Sequence, residues 1–271
     1  MREPSCRWRF HLGRVIVAFG IFAYFASLAA ASEIVDTITR IKPSIVAVGT
    51  FERGRSPAFQ FRGTGFAVGN GTTIVTNAHV LPSLTDVAHR ESLAILAPGS
   101  TSDGSQIREG RATAIDTGHD IALITIEGAA LPALKLRDSN AVREGQEILI
   151  TGFPIGAVLG PFPATHRGMV SSITPIAIPQ GNANDLDAVV IRRLSSGTFP
   201  VFQLDATAYP GSSGSPVYDP VTGEVMGIVN MVFVKGTKET ALSQPSGITY
   251  AVPARYLDDL LRSLSRDTPR K

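Results

Sequence analysis

Cysteine and tryptophan are almost missing from this chain: each occurs once, as Cys6 and Trp8, within the first eight residues. With no second cysteine there can be no intramolecular disulfide. Beyond residue 8 there is also no thiol to act as a nucleophile or to ligate a metal. A charge excess of either sign is lacking as well. Of 25 basic and 23 acidic side chains, four arginines and one glutamate lie in residues 1–31, which leaves 21 against 22 over the rest. That balance gives no electrostatic footprint for nucleic acid. Long apolar runs are absent except for Val15–Leu28, which follows Arg2, Arg7, Arg9 and Arg14 and precedes Ala29-Ala30-Ala31. The pattern reads as a secretory signal over residues 1–31, cut before Ser32. The alternative is an uncleaved membrane anchor, because the 17 apolar or small residues from Val15 to Ala31 make about 25 Å of helix against a hydrocarbon core of about 30 Å. An exported protein is expected, periplasmic or secreted, touching a membrane only through this segment if it stays attached. A cysteine-free exported domain also fits a bacterial envelope better than a disulfide-dense extracellular setting.

What remains, residues 32–265 with a polar tail at 266–271, is long enough to bury a core without covalent staples. Ile34, Val35, Ile38 and Ile41 recur at helical spacing up to Pro43, so a short helix opens this part. Short apolar runs bounded by glycine, proline, asparagine and aspartate then follow, in two sets. The first is Ser44–Thr50, Gly65–Val68, Thr73–Thr76, Leu93–Leu96, Arg111–Ile115 and Ile121–Ile126. The second is Glu147–Gly152, Met169–Thr174, Ala188–Ile191, Val201–Leu204, Ser215–Tyr218, Val225–Phe233 and Ile248–Val252. Many short strands without intervening helices predict an all-β protein, and the polar stretch Leu131–Glu144 reads as a crossover between two barrels. The barrels are expected at about 44–128 and 145–253, with a cleft between them. Pro253 and the shared face of Tyr256, Leu257, Leu260, Leu261 and Leu264 predict a C-terminal helix.

Ser213 lies in Gly211-Ser212-Ser213-Gly214-Ser215-Pro216. Glycine at 211 lets the backbone turn so that the amides of Gly211 and Ser213 can face one point beside the Ser213 hydroxyl, as an oxyanion hole requires. A serine hydroxyl needs a base to take its proton. Of the histidines after residue 31, His79 follows the strand Thr73–Thr76 directly, where a strand end can present it to a cleft. His89 stands among polar residues, His119 and His166 lie near glycines, and all three read as solvated surface side chains. The base in turn needs a carboxylate to fix its tautomer. Asp120 opens the apolar run Ile121–Ile126, which allows a carboxylate at the barrel end.

These segments together resemble the trypsin-like (chymotrypsin-fold) serine peptidases, most closely the HtrA-type bacterial branch. Thr76-Asn77-Ala78-His79-Val80, Asp120-Ile121-Ala122-Leu123 and Gly211-Ser212-Ser213-Gly214-Ser215-Pro216 stand in the family's order, separated by 41 and 93 residues. Gly63-Thr64-Gly65-Phe66, Gln203-Leu204-Asp205-Ala206 and Gly247-Ile248-Thr249-Tyr250-Ala251-Val252-Pro253 extend the likeness. Ser212 and Ser215 depart from the commoner residues around the nucleophile, and the chain after the last helix is too short for the PDZ domain that many HtrA-type enzymes carry.

The resemblance implies two packed six-stranded antiparallel β-barrels and a serine endopeptidase with His79, Asp120 and Ser213 as triad. It also implies a polypeptide substrate, no cofactor or metal, and a trimer as one possible assembly. A catalytically inactive peptide-binding homologue and an esterase are the alternatives. The substrate is expected to lie extended along Ile228–Val232. Thr207, six residues before the nucleophile, stands at the base of the pocket on the acyl side of the cut, and Ala208, Tyr209, Val229, Asn230 and Met231 form its walls. Without a carboxylate at 207 that pocket is expected to refuse lysine and arginine and to take small or medium aliphatic side chains. Asp205 is expected to tie down loop amides rather than to act as a buried anion.

Overall fold

The structure, a computed structural model, describes residues 33–82, 91–98, 105–154, 162–175, 199–230 and 247–267. Residues 1–31, the run 188–191, His89 and Met231 lie outside the described residues. The described chain opens in a helix, α1, over 33–41 and closes in α2 (Ala254–Asp267). Between them stand twelve strands. β1 (Ile45–Phe51), β2 (Phe59–Val68), β3 (Thr73–Thr76), β4 (Ser92–Pro98), β5 (Ser105–Asp116) and β6 (Ile121–Ile126) close a barrel in the order β1-β2-β3-β6-β5-β4. β7 (Glu147–Gly152), β8 (Ala164–Pro175), β9 (Pro200–Asp205), β10 (Pro216–Tyr218), β11 (Val225–Val229) and β12 (Ile248–Pro253) close a second in the order β10-β11-β12-β9-β8-β7. All neighbouring strands run antiparallel. The all-β architecture of two six-stranded barrels is thus the one expected. β5 and β8 extend beyond their apolar runs into largely polar ends, and β2 begins earlier than expected, at Phe59, with Phe59 and Phe61 packed against the core.

β1, β3 and β6 of the first barrel are apolar on both faces because both of their faces are covered. Ala67, Ile74 and Ile124 are cross-strand partners and join Val46, Val48 and Ile95 in one cluster. One residue out of phase, Ile45, Phe66, Val75 and Leu123 form the next row, and these pack with Leu149, Tyr218 and Ile228 of the second barrel. The alternation of side chains along a strand therefore gives one row to the barrel interior and the other to the seam between barrels. Ile148, Ile150, Val170, Phe202, Leu204 and Val217 fill the second barrel. The crossover is tied to both barrels by isolated bridges, Val68 with Leu134 and Leu136 with Val225.

The helices cover the seam. Ile34, Ile38 and Ile41 of α1 pack on it, while Val35 stays 61% exposed on the open side. Leu257 of α2 is fully buried there, flanked by Tyr256, Leu260, Leu261 and Leu264. Ser139 Oγ accepts from the Arg255 amide at 3.0 Å, satisfying one of the first N–H groups of α2, which have no partner within the helix. Leu257→Ala is expected to destabilise the protein by about 2–5 kcal/mol, since a buried leucine leaves a cavity that a closed barrel cannot collapse to fill. Urea unfolding measures it, and a loss under about 1 kcal/mol would show that α2 is only loosely docked.

Candidate active site

β3 pairs with β6, Thr76 opposite Ala122, so the chain leaving β3 and the chain entering β6 emerge side by side. His79 occupies a single 3-10 turn (Ala78–Val80) just past β3, and Asp120 is the residue immediately before β6. Asp120 has φ +57°, a left-handed conformation that costs a non-glycine residue on the order of 1–2 kcal/mol. The bonds it makes offset that cost. Its carboxylate is almost wholly buried, and Oδ1 accepts from the His79 amide at 2.9 Å. Oδ2 receives His79 Nδ1 at 2.7 Å and Asn230 Nδ2 at 2.8 Å. Its carbonyl accepts from the Ala78 amide at 3.2 Å and from Asn77 Nδ2 at 3.0 Å. A carboxylate only accepts, so Nδ1 of His79 carries the proton and Nε2 keeps its lone pair. The His79 side chain is one-third exposed and meets solvent.

The serine segment is a tight turn. Ser212 N–H donates to the Tyr209 carbonyl at 2.9 Å, Ser215 N–H to the Ser212 carbonyl at 3.0 Å, and Gly214 N–H to the Val229 carbonyl at 3.0 Å. Gly211 has φ +101°, and a Cβ there would come within 2.6 Å of the Phe153 carbonyl and 2.8 Å of the Phe61 ring. Glycine is required at 211 on both counts. The Gly211 and Ser213 amides, by contrast, donate to no acceptor among the described residues. Two unengaged amides flanking the Ser213 hydroxyl form an arrangement suited to an oxyanion.

Thr64 of β2 joins this turn to the first barrel. Its amide donates to the Ser213 carbonyl at 2.8 Å, and its Oγ1 donates to the Gly211 carbonyl at 2.8 Å while accepting from the Phe153 amide at 3.1 Å. Its carbonyl accepts from Thr76 Oγ1 at 2.7 Å. Gly63 sits between the histidine and serine segments, where a Cβ would come 2.7 Å from the Val80 side chain and 3.1 Å from the Ser213 carbonyl. The two segments therefore abut, although Ser213 Oγ and His79 form no direct hydrogen bond at rest. Such bonds commonly tighten only around a substrate.

The other expected residues divide. Thr207, Ala208 and Tyr209 form a half-buried segment leading into the serine turn, with Ala208 packed on the second barrel's core. Val229 is fully buried in that core, and Asn230, also fully buried, commits its side chain to Asp120 rather than to a pocket wall. Asp205 is exposed at the end of β9, and among the described residues its carboxylate holds no loop amide, so the tethering role expected for it finds no support there. Two histidines also depart from the solvated reading. His119 bonds through Nδ1 to Asp116 Oδ2 at 2.7 Å and stacks on Tyr256 with centroids 3.9 Å apart. His166 has a buried Nε2, and burial lowers its pKa. Nearby, Tyr218 is pushed upward by burial, partly opposed by hydrogen bonding with Thr151 and Thr165. Thr64 and the role of Asn230 were missed. The flanking glycines of Gly63-Thr64-Gly65 were the only signal for the first, and the second arises solely from how the barrels meet.

With this geometry in view, the likeness to known proteins is informative. Residues 63–228 match the family model described as trypsin-like peptidase domain. The chain is 26% identical over 208 residues to a protein of Pseudomonas putida (strain GB-1) named "Probable periplasmic serine endoprotease DegP-like", covering 77% of this chain and 36% of that one. A protein of the same description from Pseudomonas fluorescens is 28% identical over 225 residues, covering 79% and 39%. The chain thus spans little more than a third of the length of the curated relatives it matches. Among solved structures it is similar to the HtrA-type protease AlgW with a decapeptide, at TM-score 0.60 and 18% identity, covering 86% of this chain and 68% of that one. At that identity the likeness concerns the fold alone.

Thr64→Val removes a hydroxyl that serves two buried partners and is expected to cost about 1–3 kcal/mol for each group left unpaired. Thr64→Ser should recover most of the loss. Urea unfolding of both variants checks this, and equal midpoints for valine and serine would remove Thr64 from its linking role.

Proposed function

The chain belongs to the trypsin-like peptidase family, and from that premise we propose that it is a serine endopeptidase in which His79, Asp120 and Ser213 form the catalytic triad. The observation that carries this reading is the 2.7 Å bond from His79 Nδ1 to the buried Asp120 carboxylate, set against a serine turn whose Gly211 and Ser213 amides are unengaged among the described residues. The substrate's carbonyl carbon would be attacked by Ser213 Oγ while His79 Nε2 takes the hydroxyl proton. The resulting oxyanion would lie between the Gly211 and Ser213 amides. His79 then returns the proton to the leaving amine, and water releases the acyl group by the same route reversed. Asp120 stays ionised and stabilises the imidazolium formed in each half.

The residues that bind substrate are proposed as Thr207, Ala208 and Tyr209, with Val229 and Asn230 where the chain leaves β11; Met231, also expected there, lies outside the described residues. Polypeptide substrates and a place in a bacterial envelope, in protein processing or quality control, are supported by the DegP-like relatives' names. No helix among the described residues is long and apolar enough to cross a membrane. An esterase of the α/β-hydrolase kind is disfavoured because the Ser213 turn leads into strand β10, not into a helix. A purely peptide-binding role leaves the ordered His79–Asp120 pair without a purpose.

Ser213→Ala should abolish both peptide hydrolysis and labelling by a fluorophosphonate. Asp120→Asn should lower turnover by about 10⁴-fold with the fold intact, because the amide cannot hold His79 in the required tautomer. Labelling that persists in the alanine variant would place the nucleophile elsewhere.

A further inference from the structure

The second barrel's interior ends in a polar group that the proposed mechanism does not use. His166 lies on β8 directly opposite Ile150 of β7, and residues facing one another across an antiparallel pair share one face of the sheet. Ile150 belongs to the inner core together with Ala206 and Val229, so the imidazole enters the barrel from β8. Two positions along the same face stands Gly168, where a Cβ would come within 2.3 Å of the Asp205 carbonyl and 2.7 Å of the Ala206 Cβ. The chain that becomes Thr207, Ala208 and Tyr209 is therefore packed directly onto this face. The Tyr209 ring stands 6.2 Å from that of His166, tilted by 51°. Nε2 of His166 is buried and has no hydrogen-bond partner among the described residues. An unpaired buried ring nitrogen is unfavourable, and an apolar side chain would fill the same space without that penalty.

We propose that His166 is the specificity-determining residue of the pocket on the acyl side of the cut, its Nε2–H donating a hydrogen bond to the side-chain oxygen of a substrate glutamate or glutamine. The inference rests on the peptidase reading, from which the 207–209 segment takes its place as the pocket wall. A side chain that enters beside that segment would bring its terminal oxygen toward the buried Nε2 of His166. Leucine or valine would leave the nitrogen buried and unpaired, and a site built around a buried polar group discriminates strongly against ligands that cannot meet it. Burial lowers the pKa of His166, so the ring is a neutral imidazole near neutral pH, with one N–H to donate. The carboxylate and the carboxamide share the oxygen acceptor that this N–H requires. This assignment replaces the aliphatic preference expected from Thr207, Ala208 and Tyr209 alone.

The test uses the full chain carrying Ser213→Ala and peptides identical except for a C-terminal glutamate, glutamine or leucine, with affinities measured by calorimetry. Glutamate or glutamine should bind at least tenfold more tightly than leucine, and the comparison of those two arms identifies the acidic or the amide substrate. Adding His166→Leu should bring the three peptides within twofold of one another, while His166→Gln should retain part of the preference; thermal melts establish that each variant is folded. Leucine binding as tightly as the others, a preference that survives His166→Leu, or no measurable binding of any peptide would overturn the proposal. Because the titration needs no turnover, it separates this proposal from the catalytic reading, whose failure would appear as absent fluorophosphonate labelling of the unaltered chain.

Discussion

A carboxylate sealed from water has to be met on every side by donors, and the burial of Asp120 imposes that condition on the rest of the molecule. Its side chain accepts from the His79 amide, the His79 ring and Asn230. The first two belong to the turn after β3 and the third to the residue after β11, so one anion connects the two barrels. Removing a single donor would leave the buried charge less well met, the costly direction for such groups. The left-handed backbone at Asp120 is tolerated because the same residue's carbonyl is also held, by Ala78 and Asn77.

The seam between the barrels follows a similar logic in the serine half. Thr64 makes its amide, hydroxyl and carbonyl all serve the site, reaching Ser213, Gly211, Phe153 and Thr76. Side chains are excluded wherever the two halves approach most closely. A Cβ on Gly214 would fall 2.0 Å from the Thr64 carbonyl, and one on Gly152 would fall 3.0 Å from Thr64 Oγ1. Apolar rows from both barrels supply the non-directional attraction, and these contacts supply the registration. Catalysis of the proposed kind needs that division, since positioning errors near 1 Å are expensive in rate.

Much of this was legible in the sequence because it rests on local signals. Alternating apolar runs with glycine and proline punctuation give the strands, and His79, Asp120 and Ser213 each stand at the end of such a run or in a turn before one. The polar ends of β5 and β8 were not legible, because cross-strand pairing holds them rather than burial, and the alternation of Phe59 and Phe61 at the start of β2 was overlooked. Asn230 looked like a wall residue since its neighbours Val229 and Met231 are apolar; only the meeting of the barrels turns its amide toward Asp120. His119 and His166 looked like solvated side chains near glycines. Their surroundings are supplied by Tyr256 and Tyr209, which lie far away in the chain.

The resting site holds the His79–Asp120 pair and the serine turn without a Ser213–His79 hydrogen bond, so in the proposed mechanism bringing the two segments together is the step left to the substrate. The most direct test of this account is a crystal structure of the chain after reaction with a peptidyl phosphonate. The account predicts a covalent bond from Ser213 Oγ to phosphorus, one phosphonyl oxygen within hydrogen-bond distance of both the Gly211 and Ser213 amides, and His79 Nε2 closed onto the leaving-group side with Nδ1 still on Asp120. Phosphorus bound to another residue, or a phosphonyl oxygen pointing away from those amides, would contradict it.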